Sequence, residues 1–334
     1  MTTPADVLGD VTNPHRFDSG RRTGDSPVDI YRGTEGIVLP LQVSQEIWAE
    51  AVRNSIVMQL CRRIPIPASG LTIPIITGDP EAEWIDETEE KPVSRSTFGS
   101  KTLRPYTAAV IEPFSKQFAR DLPALYAECR TRLPYALSKK FDRAALGIED
   151  SPGTGFDSLA DSPEIAIEGN VYDSFLEALL QVGSAADGAD VTRWALSLQA
   201  EVAALGALDN NGKPLFTLSP ATDGSIGSLL GRPVFKSPNV YDPDSEMVGV
   251  GGDWNTAVWG YVQQITVDLS DQATLTDSDG KTINLWQRNM IALRAEFEVG
   301  FAIRDPQRFA RFTWSGEHQR GGRRPPKKTA EPGG

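Results

Sequence analysis

An α+β fold with two lobes is expected from three observations. Apolar and other residues alternate with period two from Ile291 to Ile303, which marks one long half-buried strand. Apolar residues recur at three- and four-residue spacing from Leu122 to Ala144, which marks one long helix. Between them, short helical and strand-like stretches alternate in the manner of a mixed lobe. The chain has 334 residues, 40% hydrophobic and 23% charged. That is the composition of a chain able to bury a core, and its length allows one large or two modest domains.

The stretch to about Gly36 carries Pro4, Pro14 and Pro27 among Gly and scattered charges, without periodicity. It reads as an arm, extended or disordered on its own. From Val43 to Leu60, Val43, Ile47, Ala51 and Met58 fall near one face and Ser44 offers an N-cap, so an amphipathic helix is expected. Leu71, Ile73 and Ile75 then alternate with Thr72 and Pro74, and the proline confines that strand to a sheet edge. Ala82, Trp84 and Asp86 alternate with Glu81, Glu83 and Ile85 before an acidic turn, Glu87 to Lys91. An extended stretch returns from Phe98 to Phe114. The expected result is a long hairpin with little apolar surface, which must rest on something else because a two-stranded ribbon is marginal in water.

Asp121 is placed to cap the long helix, whose stripe is Leu122, Leu125, Cys129, Leu133, Ala136, Leu137, Phe141 and Ala144, and Gly147 to end it. Pro134 lies inside and predicts a bend near Arg130, the carbonyl four residues earlier. Arg130, Arg132, Lys139, Lys140 and Arg143 stand opposite the stripe, as a solvated basic face or a contact surface. Ser151 to Gly169, rich in Gly, Pro, Ser and Asp, reads as a surface loop. A helix from Tyr172 to Val182, a strand at Trp194 to Leu196 and a helix from Ser197 to Leu205 follow, then a turn at Asp209-Asn210-Asn211-Gly212. Further strands are expected at Pro233 to Phe235, Met247 to Val250 and Gln264 to Leu269. After the terminal strand, Asp305-Pro306 turns the chain into a last strand with Ala310, Phe312 and Trp314 on one side. The tail is basic: Arg320, Arg323, Arg324, Lys327 and Lys328.

The chemistry-bearing residues are sparse. The two histidines, His15 and His318, fall in the terminal segments, so a Ser/His/Asp triad or a histidine-bound zinc is not expected. Glu89 and Glu90 sit in a solvated acidic turn, a poor setting for a glycosidase pair. Gly249-Val250-Gly251-Gly252-Asp253 lacks the spacing and following helix of a nucleotide-binding loop and reads as a structural turn. Cys61 and Cys129 lack the spacing of a zinc or redox pair, and buried free thiols are favoured over a disulfide. No catalytic, cofactor-binding or metal-binding residue is expected. The net charge of -12 argues against a surface that grips nucleic acid. No stretch matches the about 20 consecutive apolar residues of a membrane span, and the first ten residues lack a basic start and apolar run.

The order of arm, anchoring helix, hairpin, long helix, α/β lobe and terminal strand resembles the HK97-type major capsid family of tailed bacteriophages. Phe141-Asp142-Arg143-Ala144-Ala145-Leu146-Gly147, Trp194-Ala195-Leu196-Ser197, Asp209-Asn210-Asn211-Gly212-Lys213-Pro214-Leu215, Leu230-Gly231-Arg232-Pro233-Val234 and Gly252-Asp253-Trp254 look like that family's motifs in its order. The series covers about Gly36 to Trp314. The resemblance implies an N-terminal arm and helix (1–64), an extended loop (65–118), the spine helix of a peripheral domain with its following loop (119–169), an axial domain (170–285), strands returning to the peripheral domain (286–316) and a basic tail (317–334). It implies self-assembly as hexamers and pentamers into an icosahedral head around double-stranded DNA held without sequence-specific binding. Implied partners are a portal and scaffolding or decoration proteins, but no membrane, with assembly in the bacterial host cytoplasm. Encapsulin-type shells share this fold and remain the alternative, ahead of an α/β enzyme.

Inter-subunit contacts are expected from Glu81, Glu83, Trp84, Glu87, Glu89 and Glu90 of the loop, against the basic helix face of Arg130, Arg132, Lys139, Lys140 and Arg143. Some relatives cross-link a loop lysine to a neighbour's asparagine. Lys91 and Lys101 could supply the amine, but no asparagine follows Asn289, so no cross-link is expected. The segment before Gly36 is shorter than the scaffold domain that some relatives carry and cleave, so a separate scaffolding protein or none is expected.

Overall fold

Short elements at the N-terminal end of the described chain anchor it to the longest strands. In this computed structural model the described residues are 37–38, 41–78, 97–117, 122–168, 171–185, 188–206, 216–218, 224–277 and 279–314. Strand β1 (Ile37–Val38) leads to α1 (Leu41–Asn54) and α2 (Ile56–Leu60). The sequence predicted one helix capped by Ser44; instead the first helix starts at Leu41 and breaks at Ser55. Ser55 is extended, and its hydroxyl accepts from the Met58 N–H at 3.1 Å, so a local side-chain cap replaces helix continuation.

Strand β2 (Arg62–Arg63) precedes the ribbon of β3 (Leu71–Gly78) and β4 (Thr97–Leu103), paired from Leu71 with Leu103 to Gly78 with Thr97. Pro74 lies in β3, on a ribbon of two edge strands as expected. The returning stretch, however, is not one strand. It divides at Arg104-Pro105, where the Arg104 N–H turns aside to the Gly155 carbonyl at 2.7 Å. Residues 106–115 form β5 (Tyr106–Ser115), which pairs elsewhere. The acidic stretch Glu81 to Glu90 lies outside the described residues, as do His15, His318 and the basic tail.

Helix α3 (Leu122–Ala145) runs continuously through Pro134. It ends as expected at Gly147, whose φ of +75° lets the Ile148 N–H return to the Arg143 carbonyl at 2.9 Å. A side chain there would also meet the Ala160 backbone nitrogen at 2.4 Å. The predicted surface loop that follows is partly core: Phe156, Leu159, Ile165 and Ile167 are buried, and β6 (Glu164–Ala166) joins a sheet. Four apolar side chains outweigh a loop-like composition.

Next come α4 (Val171–Gly183), β7 (Arg193–Leu196), α5 (Leu198–Gly206), β8 (Phe216–Leu218), β9 (Gly227–Leu229), β10 (Arg232–Lys236) and β11 (Met247–Gly252). The inward face of α4 is Phe175, Ala178 and Val182; Leu176 and Leu179 are half-buried. Leu230 (φ +53°) and Gly231 (φ +77°) join β9 to β10 in a two-residue turn with both residues left-handed, the geometry that matches strand twist. The glycine-rich run read as a turn is instead strand β11, buried throughout. Its glycines admit neighbouring rings: a Cβ on Gly251 would lie 2.2 Å from the Trp194 ring, and one on Gly252 2.3 Å from Phe309.

The chain closes with β12 (Ala257–Ser270), β13 (Thr274–Thr276), β14 (Thr282–Asn284), β15 (Met290–Ile303) and β16 (Phe309–Thr313). One sheet has the order β1-β12-β15-β5, with β2 beside β12. The other runs β6-β16-β11-β7-β10-β9-β8. β12 thus pairs with β15, and β16 lies between β6 and β11 in the seven-stranded sheet. The first core lies between α1, α2, α3 and one face of the β12–β15 sheet, and the second between α4, α5 and the seven-stranded sheet. A small third cluster, around Ile66, Leu103, Val258 and Ala302, covers the opposite face of β12 and β15 at the base of the ribbon.

Candidate functional site

Among the described residues no group of three or more His, Cys, Asp or Glu side chains could hold a metal ion. The densest buried polar cluster is a joint rather than a reaction centre. Asp142, fully buried on α3, accepts hydrogen bonds from the Ser55 hydroxyl (2.5 Å), the N–H groups of Ile56 (3.0 Å) and Val57 (3.2 Å), and the Asn239 amide (2.7 Å). Asn239 sits in a 3₁₀ turn (Pro238–Val240) of the α/β lobe and also donates to the Asn54 carbonyl at 3.3 Å. One carboxylate thus ties the anchoring helices, the long helix and the second lobe together. Burial pushes its pKa up to about 6, against the four donors, which pull it down. Cys61 is buried and free, and burial, with the charge of Asp142, raises its thiol well above the ordinary range. The sequence signal for this joint is an aspartate that directly follows Phe141 of the apolar stripe.

The basic face of α3 is largely engaged within the chain. Arg132 is exposed but pairs with Glu128, and with Glu112 at 3.5 Å. Lys140 and Arg143 share Glu149, at 2.6 and 2.7 Å, and Arg143 also holds Asp242 at 2.9 Å. Burial would lower the Arg143 pKa, but its bonds to Asp242 and Glu149 outweigh that and raise it. Burial would raise both carboxylates, but hydrogen bonds from Ser245 and Arg143 hold Asp242, and those from Lys140 and Arg143 hold Glu149, below the usual range. Lys139 is exposed, and the Arg130 side chain lies outside the described set. Arg143 therefore serves the joint between α3 and the second lobe, at a sequence separation no local pattern reveals.

Two surface features remain. A cavity of about 660 Å³ opens at the base of the ribbon, between β3 and β12. On α5, Leu198, Val202 and Leu205 are exposed along one face, and Leu180 on α4 is 74% exposed.

A sequence model of the phage capsid family matches residues 35–313. The chain belongs to the phage capsid family. The probable major capsid protein of Mycobacterium phage L5 is 31% identical to the capsid chain over 316 residues, covering 87% of this chain and 92% of that protein. That of Mycobacterium phage D29 is 32% identical over 294 residues, covering 84% and 90%. A solved chain from Mycobacterium phage Bobi matches with a TM-score of 0.62 at 24% identity, over 79% of this chain and 91% of that one. The capsid of an empty GTA particle matches at 0.55 and 12%, over 80% and 90%. The capsid chain has the HK97-like fold that its element order suggested.

Proposed function

We propose that this chain is the major capsid protein of a tailed phage, assembling with itself as hexamers and pentamers into an icosahedral head around double-stranded DNA. The match to the capsid family along residues 35–313 carries the reading. The role is structural, without catalysis. An acidic subunit suits a container that must not adhere to its DNA, since such binding rests on Lys and Arg neutralising phosphates. Subunits assemble in the host cytoplasm and end in the virion, with a portal and scaffolding or decoration proteins as partners. Glu81, Glu83, Trp84, Glu87, Glu89 and Glu90 are inter-subunit contacts in this reading. Arg130, Arg132, Lys139 and Lys140 of the helix face contribute at subunit boundaries, each exposed pair adding about 0–1 kcal/mol. Many modest contacts repeated around a closed shell suffice for stability.

Negative-stain microscopy of the purified protein is the direct test, with closed shells of a size suited to a phage genome expected. Small cargo-sized shells or a discrete oligomer under all assembly conditions would overturn the proposal. Boiled, reduced shells should run as a single monomer band on a denaturing gel. Lys101, the described candidate amine, is held by Asp157 at 2.8 Å and the Ile303 carbonyl at 2.6 Å. A ladder of covalent multimers would contradict this expectation.

A further inference from the structure

We propose that the outer edge of β5 pairs with the same edge of a second copy of this chain, antiparallel across a two-fold axis. The inference rests on the shell-forming reading above and supplies a contact that joins one ring of subunits to another.

Strand β5 ends its sheet, with β15 on one side and no strand on the other among the described residues. Just past its end the Lys116 N–H donates to the Asn289 carbonyl at 2.8 Å. Backbone groups alternate sides along a strand, so the even-numbered residues of β5 turn theirs toward β15 and the odd-numbered ones turn theirs to the outer edge. Pro113 agrees with this assignment, since a proline is tolerated where no ladder bond is due. The backbone N–H and C=O groups of Thr107, Ala109 and Ile111 are thus left facing outward, and no other described backbone group bonds to them. Sheets commonly cover or charge such an edge. Here the run from Tyr106 to Ile111 carries no charge, and Ile111 is 48% exposed.

The run is also self-complementary. Pro105 and Pro113 stand four residues on either side of Ala109. An antiparallel pair centred on Ala109 sets Thr107 against Ile111, Ala109 against its own copy and Pro105 against Pro113, so the two free runs overlap completely between prolines. Each opposed pair from 107 to 111 on the outward positions exchanges two hydrogen bonds. On the exposed face Thr107 meets Ile111, two β-branched side chains suited to cross-strand packing. On the other face Ala108 and Val110, only partly buried against the first core, come opposite one another. Glu112 lies outside the paired run and faces Arg132 of its own chain at 3.5 Å.

Proline at both ends keeps the contact from spreading along the edge. So short a ladder is weak in isolation and gains its effect from repetition around a shell. Being isologous, it joins two copies and goes no further, which is what a link between rings requires; the rings themselves need head-to-tail contacts.

Disulfide trapping tests the proposal. In shells of Ala109→Cys, the two copies of position 109 should lie about 5.5 Å apart between Cα atoms, within reach of a disulfide under a mild oxidant. The expected product is a dimer whose linked peptide joins 109 to 109, a bond that one chain cannot make with itself. A double variant, Thr107→Cys with Ile111→Cys, should give a bond between 107 and 111 of different chains, because within one strand the two positions are about 14 Å apart. Bonds only between like positions of the double variant, bonds only to Cys61 or Cys129, or no bond in intact shells would overturn the pairing while leaving shell formation standing. Ala109→Pro removes an outward N–H and spares the β15 ladder, whereas Ala108→Pro removes a bond to β15. The first should leave the thermal midpoint of the unassembled subunit near that of wild type and cut shell yield about tenfold, two bonds being lost at each contact. A midpoint lowered as far as that of Ala108→Pro, or full shell yield, would overturn the edge assignment. Failure of the wild-type protein to form shells would instead overturn the function on which the pairing rests.

Discussion

Asp142→Ala is expected to lower the stability of the subunit by about 3–5 kcal/mol, the loss typical when several buried polar groups are stranded together. The Ile56 and Val57 N–H groups, the Ser55 hydroxyl and one Asn239 N–H would lose their acceptor in a site without access to water. The loss should appear as a lowered thermal midpoint in unassembled protein and as poor soluble yield. A midpoint within a degree or so of wild type would show that the joint does not hold the lobes. The pH dependence has an unusual sign. Asp142 has a folded pKa of about 6, above its ordinary 3.8. Its contribution is therefore fully present below about 3.8 and is lost as pH rises through about 6. Glu149 and Asp242, held low, behave oppositely: they stabilise above their unfolded pKa values and lose that contribution in acid. Comparison with Asp142→Asn isolates the first effect. The wild-type advantage over this variant should grow by about 1–3 kcal/mol between pH of about 7.5 and 4.5, read from denaturant midpoints. An advantage that shrinks toward acid would contradict the assignment.

Gly251→Ala is expected to cost about 3 kcal/mol or more, at the upper end of overpacking, because the new methyl would meet a ring that cannot retreat. Trp194 is fully buried, its indole N–H is fixed on the Leu229 carbonyl at 3.1 Å, and Phe175 and Phe312 press on its faces and edges. Gly183→Ala is the matched control. That residue ends α4 with its nearest neighbour atom at 3.8 Å and no left-handed backbone requirement, so the change should be neutral within about 1 kcal/mol. Equal soluble yield and thermal midpoint for the two variants would refute the packing account of β11.

What could be read beforehand was whatever a local period encodes. The β15 alternation, the stripe of α3, the glycine stop at Gly147 and the Ser197 start of α5 all depend on neighbours within about four residues. The misreadings share a different cause. The β11 glycines look like a turn because the ring that requires them, Trp194, lies far away in sequence. Residues 156–167 look like a loop because composition hides four inward side chains. The stretch after Phe98 looks like one arm of a hairpin because its second half finds β15, nearly two hundred residues on. The candidate contact surface behaves likewise: the charge of Arg143 is visible in the sequence, but its commitment to Asp242 is not.

The interleaving of the two sheets has a mechanical consequence. The chain passes from the first lobe to the second between α3 and β6, returns between β11 and β12, and crosses again between β15 and β16. Three covalent connections therefore act in parallel across the boundary, with the Asp142 joint beside them. Force applied to one lobe is divided among three chain segments instead of being focused on one linker. A subunit wired this way transmits outward load as a single plate and resists hinging at its middle.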